Sequence, residues 1–205
     1  MRRLRAKSWI EKGVIEMHDG VTEMPPERVG LWMFLAVVTS LFSLFMIMYM
    51  ERSTFPDWRP IPDPQILWIN TIFLVLGSVA FQRARGAAGR EDLPAIRLNL
   101  TAGGLFTIAF VIGQVVAWQQ LSASGYFFAS NPAHTFFYLI TGLHAGHLLG
   151  GLWVWARTTT RVWRGLSTLN VNQIASVRLS VQLCSVYWHF LLLLWLVLFY
   201  LLSTT

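Results

Sequence analysis

Three histidines stand out in a chain that has few ionisable groups elsewhere. His144 and His147 lie on one long apolar run and His189 on the next. By residue count all three fall near the middle of their runs, where a bilayer would bury them. Two chemistries are open to them. Helices that each present an imidazole could hold a haem between two axial histidines, using His144 or His147 with His189. Alternatively the rings are neutral, hydrogen-bond to Ser, Thr, Gln or backbone groups, and cement the helices as a structural polar core.

Spacing sharpens both readings. His144 and His147, three apart, share one helical face. Gln182, Ser185 and His189 form a polar stripe at helical spacing, which should face protein and not lipid. Gly142, Gly146 and Gly150 recur every four residues and make a smooth strip where a neighbouring backbone can approach. This strip is expected to pack helices and to face away from the histidines. His134, after Asn131-Pro132, reads as a cap or loop residue, and His18 sits in a polar tail. Asn70, Asn99 and Gln114 read as interhelical hydrogen-bonding groups.

No Asp or Glu occurs after Asp92, so more than half of the chain works without a carboxylate. Proton relays through membranes generally use Asp or Glu in the apolar zone, which disfavours a channel or pump. Cys184 is the single cysteine, leaving neither an intrachain disulfide nor a thiolate metal site. Hydrolase, kinase and dinucleotide-binding motifs are absent.

The elements that position these residues follow from composition. Of 205 residues 55% are hydrophobic and 13% charged, about half the charge content of a soluble domain. Apolar runs predict an all-α membrane bundle of five transmembrane helices at about 29–50, 65–81, 98–118, 133–156 and 177–202. Residues 1–27 form a polar tail without the apolar core of a signal peptide, and 28–205 the transmembrane domain. Pro25-Pro26 bars helix before the first run, and the stretch 59–64, with Pro60, Pro62 and Pro64, is extended.

The net charge of +6 raises nucleic acid as a partner, but the cations cluster at the mouths of apolar runs, so no nucleic acid is expected. Arg2, Arg3, Arg5, Lys7, Lys12 and Arg28 precede helix one. Arg83, Arg85, Arg90 and Arg97 follow helix two, and Arg157, Arg161, Arg164 and Arg178 follow helix four. Only Arg52 and Arg59 fall in the opposite loops, offset by Glu51, Asp57 and Asp63. This alternation predicts an N-in, C-out orientation with a cytoplasmic tail. Trp58, Trp118, Tyr126, Trp155, Trp163 and Tyr200 are placed as interfacial anchors would be.

Helix four, Phe136 through Thr141-Gly-Leu-His144-Ala-Gly-His147 to Gly151, resembles the signature segment of haem–copper oxidase subunit III. Helix five, with Tyr187-Trp-His-Phe190 and then Trp195, is similar to the second hallmark of that family. Gly30 to Phe42, Asn70-Thr71 to Ser78, and Gln114 with Trp118 follow in the family's order. The resemblance covers about Arg28 to Tyr200 and matches the short five-helix bacterial form of cytochrome c oxidase subunit III.

What the resemblance implies is a structural, non-catalytic subunit of a respiratory terminal oxidase in a bacterial inner membrane. It would have no catalytic, cofactor or metal site of its own. Haem and copper would reside in partner subunits, with subunit I in direct contact and subunit II in the same complex. Supercomplex membership, and the alternative of a quinol oxidase or nitric oxide reductase accessory subunit, stay open. The resemblance also implies bound phospholipid in a cleft between a two-helix group and a three-helix group. Phe34 matches a phenylalanine lining that cleft, and Arg161 an arginine binding lipid phosphate, a chemistry its planar fork suits. The chain departs from the family at Val38, Ala117, Gln182 and Leu192, where acids are usual. That departure puts in doubt any proton uptake through those carboxylates.

Overall fold

The computed structural model describes residues 25–59, 65–128, 130–165 and 171–204; the side chains of 164, 165 and 171–175 are left aside. Residues 1–24 of the polar tail with their cations, the residues 60–64 and the side chain of Arg164 therefore lie outside the described residues. Five helices account for the fold: α1 Pro26–Ser53, α2 Gln65–Gly89, α3 Leu93–Ala123, α4 Pro132–Gly165 and α5 Val171–Thr204. Among the described residues there is no strand.

The helices outrun the apolar stretches that announce them. α2 continues past Phe81 to Gly89, so Arg83 and Arg85 are helical and only Arg90–Asp92 form the turn. α3 starts five residues before Leu98, where the Asp92 carboxylate accepts from the Ala95 N–H at 3.2 Å and Pro94 occupies the first turn. α1 begins at Pro26, a position where a missing N–H costs nothing. Hydropathy marks the stretch that suits hydrocarbon. The backbone ladder extends further wherever no residue breaks it.

Helices α1, α2, α3 and the stretch of α5 from Ser176 are each long and apolar enough to cross a membrane. α4 is the longest element with α5, at 34 residues, but its mean hydropathy is lowered by His, Thr and Gly. That polarity turns inward. His134, Thr141, His144 and Thr158 are buried, whereas Leu139, Leu149, Trp153 and Val154 face outward. Between residues 139 and 154 the fully exposed positions of α4 are therefore apolar side chains or glycines.

α2, α3, α4 and α5 pack in a closed ring, each helix touching the next. α1 stands outside the ring, against α4 and α5, and among the described residues does not approach α2. The expected division into a two-helix and a three-helix group is thus replaced by one helix plus four. The reason lies in the seams. Gly77 and Gly103 let α2 and α3 close up, with the Phe81 ring pressed on Gly103, whereas α1 presents to its neighbours large rings such as Phe34 and Phe42.

Indole N–H groups stitch the ring together. Trp118 donates to Thr141 Oγ1 at 3.1 Å and Trp155 to the Leu100 carbonyl at 2.7 Å, joining α3 to α4. Trp188 donates to Thr107 Oγ1 at 2.7 Å, joining α5 to α3, and Trp195 to Thr71 Oγ1 at 2.9 Å, joining α5 to α2. In hydrocarbon such a bond has no competing water, and one is worth about 0.6 kcal/mol on average. Trp118 and Trp155 are therefore cross-helix ties, half-buried, and not the interfacial anchors their positions suggested. Trp163 and Tyr200 are exposed as anchors should be.

At one end of the bundle the α1–α2 and α3–α4 connections are tied together. Arg52 pairs with Asp57, and Asn131 donates to the Asp57 carbonyl at 2.8 Å while accepting from the Arg59 N–H at 3.4 Å. At the other end the Arg97 guanidinium lies 5.1 Å over the Trp163 ring.

Candidate functional site

A cleft of about 710 Å³ opens where α1 leans on the α4–α5 pair. Its depth is apolar and aromatic: Leu31 and Phe34 from α1, Leu143 and Val154 from α4, Leu183 and Tyr187 from α5. Its mouth carries Arg157 and Arg161, with Glu27 across from them on α1. Arg157 is held by its guanidinium stacking 4.8 Å over the Trp153 ring. An apolar slot with a cationic mouth has the chemistry to take an amphiphile with an anionic head. Phe34 and Arg161, separated by more than 120 residues in sequence, line this one space. Its walls are α1 on one side and α4 with α5 on the other, so α2 has no part in it.

Gly146 and Gly150 also line the cleft. A Cβ built at either would meet nothing within 4 Å, and at Gly142 it would only reach Trp118 at 3.9 Å. The glycine strip thus does not pack a neighbouring helix as its four-residue period suggested. Its hollow forms a wall of the cleft, and His147 joins it there, not on an opposite face. Close packing falls to glycines outside that period. At Gly104 a Cβ would fall inside the Trp155 indole, and at Gly151 it would press on Tyr187 and Trp188.

The three histidines separate into three environments. His147 is half-buried and its Nδ1–H donates to the Leu143 carbonyl one turn back at 2.8 Å, while the Tyr187 hydroxyl donates to the His147 carbonyl at 2.8 Å. Because a carbonyl only accepts, the proton of this bond sits on Nδ1. His189 binds across helices: its Nδ1 lies 2.6 Å from Ser78 Oγ and its Nε2 3.1 Å from Gln82 Oε1, which also accepts from Ser185 at 3.3 Å. His144 is 1% exposed, and neither of its ring nitrogens has a hydrogen-bond partner among the described residues. Aromatic rings enclose it. Trp195 stacks at 5.3 Å, Phe110 lies at 6.0 Å and Phe42 at 6.5 Å.

His147 and His189 are hydrogen-bonded, and the hydrogen bond expected of His144 is corrected: among the described residues it has none. These residues do not fit the haem alternative. An axial ligand needs a free ring nitrogen with a porphyrin-sized gap before it. Both nitrogens of His189 are engaged, and His144 faces rings. Among the described residues no three His, Cys, Asp or Glu side chains converge.

The polar stripe on α5 is brought together with partners the sequence did not announce. Gln182 accepts from the Arg28 guanidinium at 3.3 Å, pinning the start of α1, and Ser185 with His189 closes on Ser78 and Gln82 of α2. Ser78 and Gln82 lie four apart, a helical spacing that mirrors Ser185 and His189; that matching period was the signal to find them. Asn99 bonds only within its own helix, to the Ala95 carbonyl at 2.8 Å. Gln114 and the Asn70 amide nitrogen are buried without hydrogen-bond partners among the described residues, so these three do not act as interhelical bonds. His134, in the first turn of α4, bonds the Ser130 hydroxyl at 2.7 Å, while the Asn131 side chain accepts from the Ala133 N–H at 3.0 Å.

At two of the positions where the resemblance implies an acid, Val38 is 2% and Ala117 0% exposed, both inside apolar clusters. A carboxylate there would be buried without a counter-charge, so the uncharged residues fit their surroundings.

The geometry defines a polytopic helical membrane protein whose helices are joined by buried indole and imidazole bonds around an amphiphile-shaped cleft. No protein-family model matches the sequence. Among curated proteins, the chain is 31% identical over 146 residues to the probable cytochrome c oxidase subunit 3 of Mycobacterium tuberculosis, covering 70% of this chain and 69% of that one. It is 28% identical to cytochrome c oxidase subunit 3 of Thermostichus vulcanus, covering 90% of each. With the Synechocystis protein of the same name it shares 25% identity over 83% of this chain and 72% of that one. The chain belongs to the cytochrome c oxidase subunit 3 family.

Proposed function

We propose that this chain is the non-catalytic structural subunit III of a respiratory haem–copper terminal oxidase in a bacterial inner membrane, oriented N-in and C-out. Oxygen reduction and proton translocation are carried by its partners, with subunit I in direct contact and subunit II in the same assembly. The chain stabilises the catalytic subunit and holds phospholipid in the cleft between α1 and the α4–α5 pair. The observation that carries the lipid reading is the meeting of Phe34 and Arg161 in one cleft, apolar within and cationic at its mouth. An accessory role in a quinol oxidase or a nitric oxide reductase would use the same scaffold, because electron-donor sites lie on other subunits.

The test is purification of the oxidase from cells with and without this chain. With it, the complex is expected to hold tightly bound phospholipid and to keep its activity over many turnovers. Without it, turnover should begin normally and decay sooner. The isolated chain should show no Soret band. Stoichiometric haem on the isolated chain, or equal lifetimes with and without it, would overturn the reading.

A further inference from the structure

Three charged groups share the mouth of the cleft between α1 and the α4–α5 pair: Glu27 on α1, and Arg157 and Arg161 on α4. All three are exposed. They lie at one edge of the apolar zone, since Glu27 precedes the apolar run of α1 and the arginines follow that of α4. They have not closed on one another. Among the described residues the one ion pair is Arg52 with Asp57, at the other end of α1. Neighbouring hydroxyls are already used, Thr158 on the Val154 carbonyl at 3.0 Å and Ser180 on the Ser176 carbonyl at 2.9 Å. The mouth therefore offers a ligand two cations and, across the gap, one anion.

Two of these charges are held in place. The Arg157 guanidinium stacks 4.8 Å over the Trp153 ring. Glu27 is followed by Arg28, whose bond to Gln182 Oε1 at 3.3 Å fixes that turn of α1 against α5. Arg157 and Arg161 lie one turn apart on one face of α4, and two planar forks at that spacing suit one phosphate. A carboxylate opposite them repels a second anion and attracts a cation. An amphiphile with a phosphate and, a short arm beyond it, a cationic group matches all three. A phosphate with a neutral headgroup leaves Glu27 without a counter-charge.

We propose that this cleft selects phospholipids whose headgroup carries a primary ammonium, with the phosphate on Arg157 and Arg161 and the ammonium on Glu27. The proposal rests on the reading of the cleft as a phospholipid site and assigns Glu27 as the residue that sets its specificity. Ethanolamine fits because its ammonium donates hydrogen bonds to a carboxylate. Choline has no N–H to donate, and a glycerol headgroup brings no positive charge. The bound headgroup also joins α1 to α4. Among the described residues no hydrogen bond links the Glu27 end of α1 to α4, and Arg28 ties it to α5 alone.

The test is lipid competition on the purified oxidase. The complex is equilibrated with equal parts of phosphatidylethanolamine, phosphatidylglycerol and phosphatidylcholine in mild detergent, and mass spectrometry of the intact complex counts what is retained. Wild type is expected to retain the ethanolamine lipid over the other two. Glu27→Gln should shift the ethanolamine-to-glycerol ratio about 2- to 5-fold toward glycerol, the contribution of one water-exposed ion pair. Glu27→Asp should keep much of the preference, and Glu51→Gln, at the far end of α1, should leave it unchanged. Arg157→Gln should lower all three lipids together, because each has the phosphate. Matching unfolding temperatures of wild type and Glu27→Gln show that the fold is intact. An unaltered ratio in Glu27→Gln, or an equal shift in Glu51→Gln, would overturn the proposal. Lipid retained by wild type without headgroup preference sinks this inference alone, whereas an oxidase that retains no phospholipid sinks the lipid reading beneath it.

Discussion

The indole of Trp155 on α4 occupies the space that a Cβ at Gly104 on α3 would need, and its N–H reaches the Leu100 carbonyl one turn away at 2.7 Å. Packing and hydrogen bonding at this contact depend on each other. Gly104→Ala should therefore displace the ring and lose the bond together, lowering stability by about 1–3 kcal/mol, the usual cost of overpacking. Gly146→Ala, where nothing lies within 4 Å, should change stability by less than about 0.5 kcal/mol. Thermal unfolding of both variants in one detergent gives the comparison.

The histidines should respond oppositely to removal. His144→Leu breaks no hydrogen bond and replaces an unpaired polar ring among aromatics by an apolar group, so stability should hold or rise. His189→Leu strips the Ser78 hydroxyl and the Gln82 carbonyl of a partner and should cost about 1–3 kcal/mol. A larger loss at position 144 than at 189 would contradict the environments described above.

The Trp188 indole bonds Thr107, which is fully buried. Trp188→Phe and Thr107→Val should each destabilise the chain, and the double variant should cost less than their sum by about 1 kcal/mol. Additive losses would mean that the bond carries no energy of its own.

Bound lipid should report on the cleft. In the purified oxidase, Arg161→Gln should lower retained phospholipid about tenfold, since a charge-assisted bond to phosphate is worth about 1.5–3 kcal/mol. Phe34→Ala should lower it less. Mass spectrometry of the intact complex counts the lipids directly, and unchanged lipid in Arg161→Gln would remove that arginine from the site.

Acid should loosen the loop tie. The side-chain hydrogen bond from Arg52 holds the Asp57 carboxyl below the usual carboxylate range. A lowered folded-state pKa means the tie contributes at all pH values above the ordinary carboxylate pKa of about 4 and is lost as pH falls through the lowered value. Backbone hydrogen exchange at Thr54, Phe55, Asp57 and Trp58 should be flat from neutral pH down to about 4, relative to the intrinsic rate, and rise below it. Asp57→Asn should show the faster exchange throughout.

The sequence alone determined that five helices form, because uninterrupted apolar runs leave the backbone no partner in hydrocarbon except itself. It also pointed to the histidines, since polar groups amid apolar residues are visible by composition, while Phe34 and Arg161 came only from what the family resemblance implies. Helix neighbours were decided only by tertiary structure. In lipid the pairing of helices depends on which knobs fit which hollows, and a period such as Gly142, Gly146, Gly150 records that a hollow exists without recording what fills it. The same holds for His144. Its type promised a hydrogen bond, and the three rings that surround it, drawn from α1, α3 and α5, leave it none.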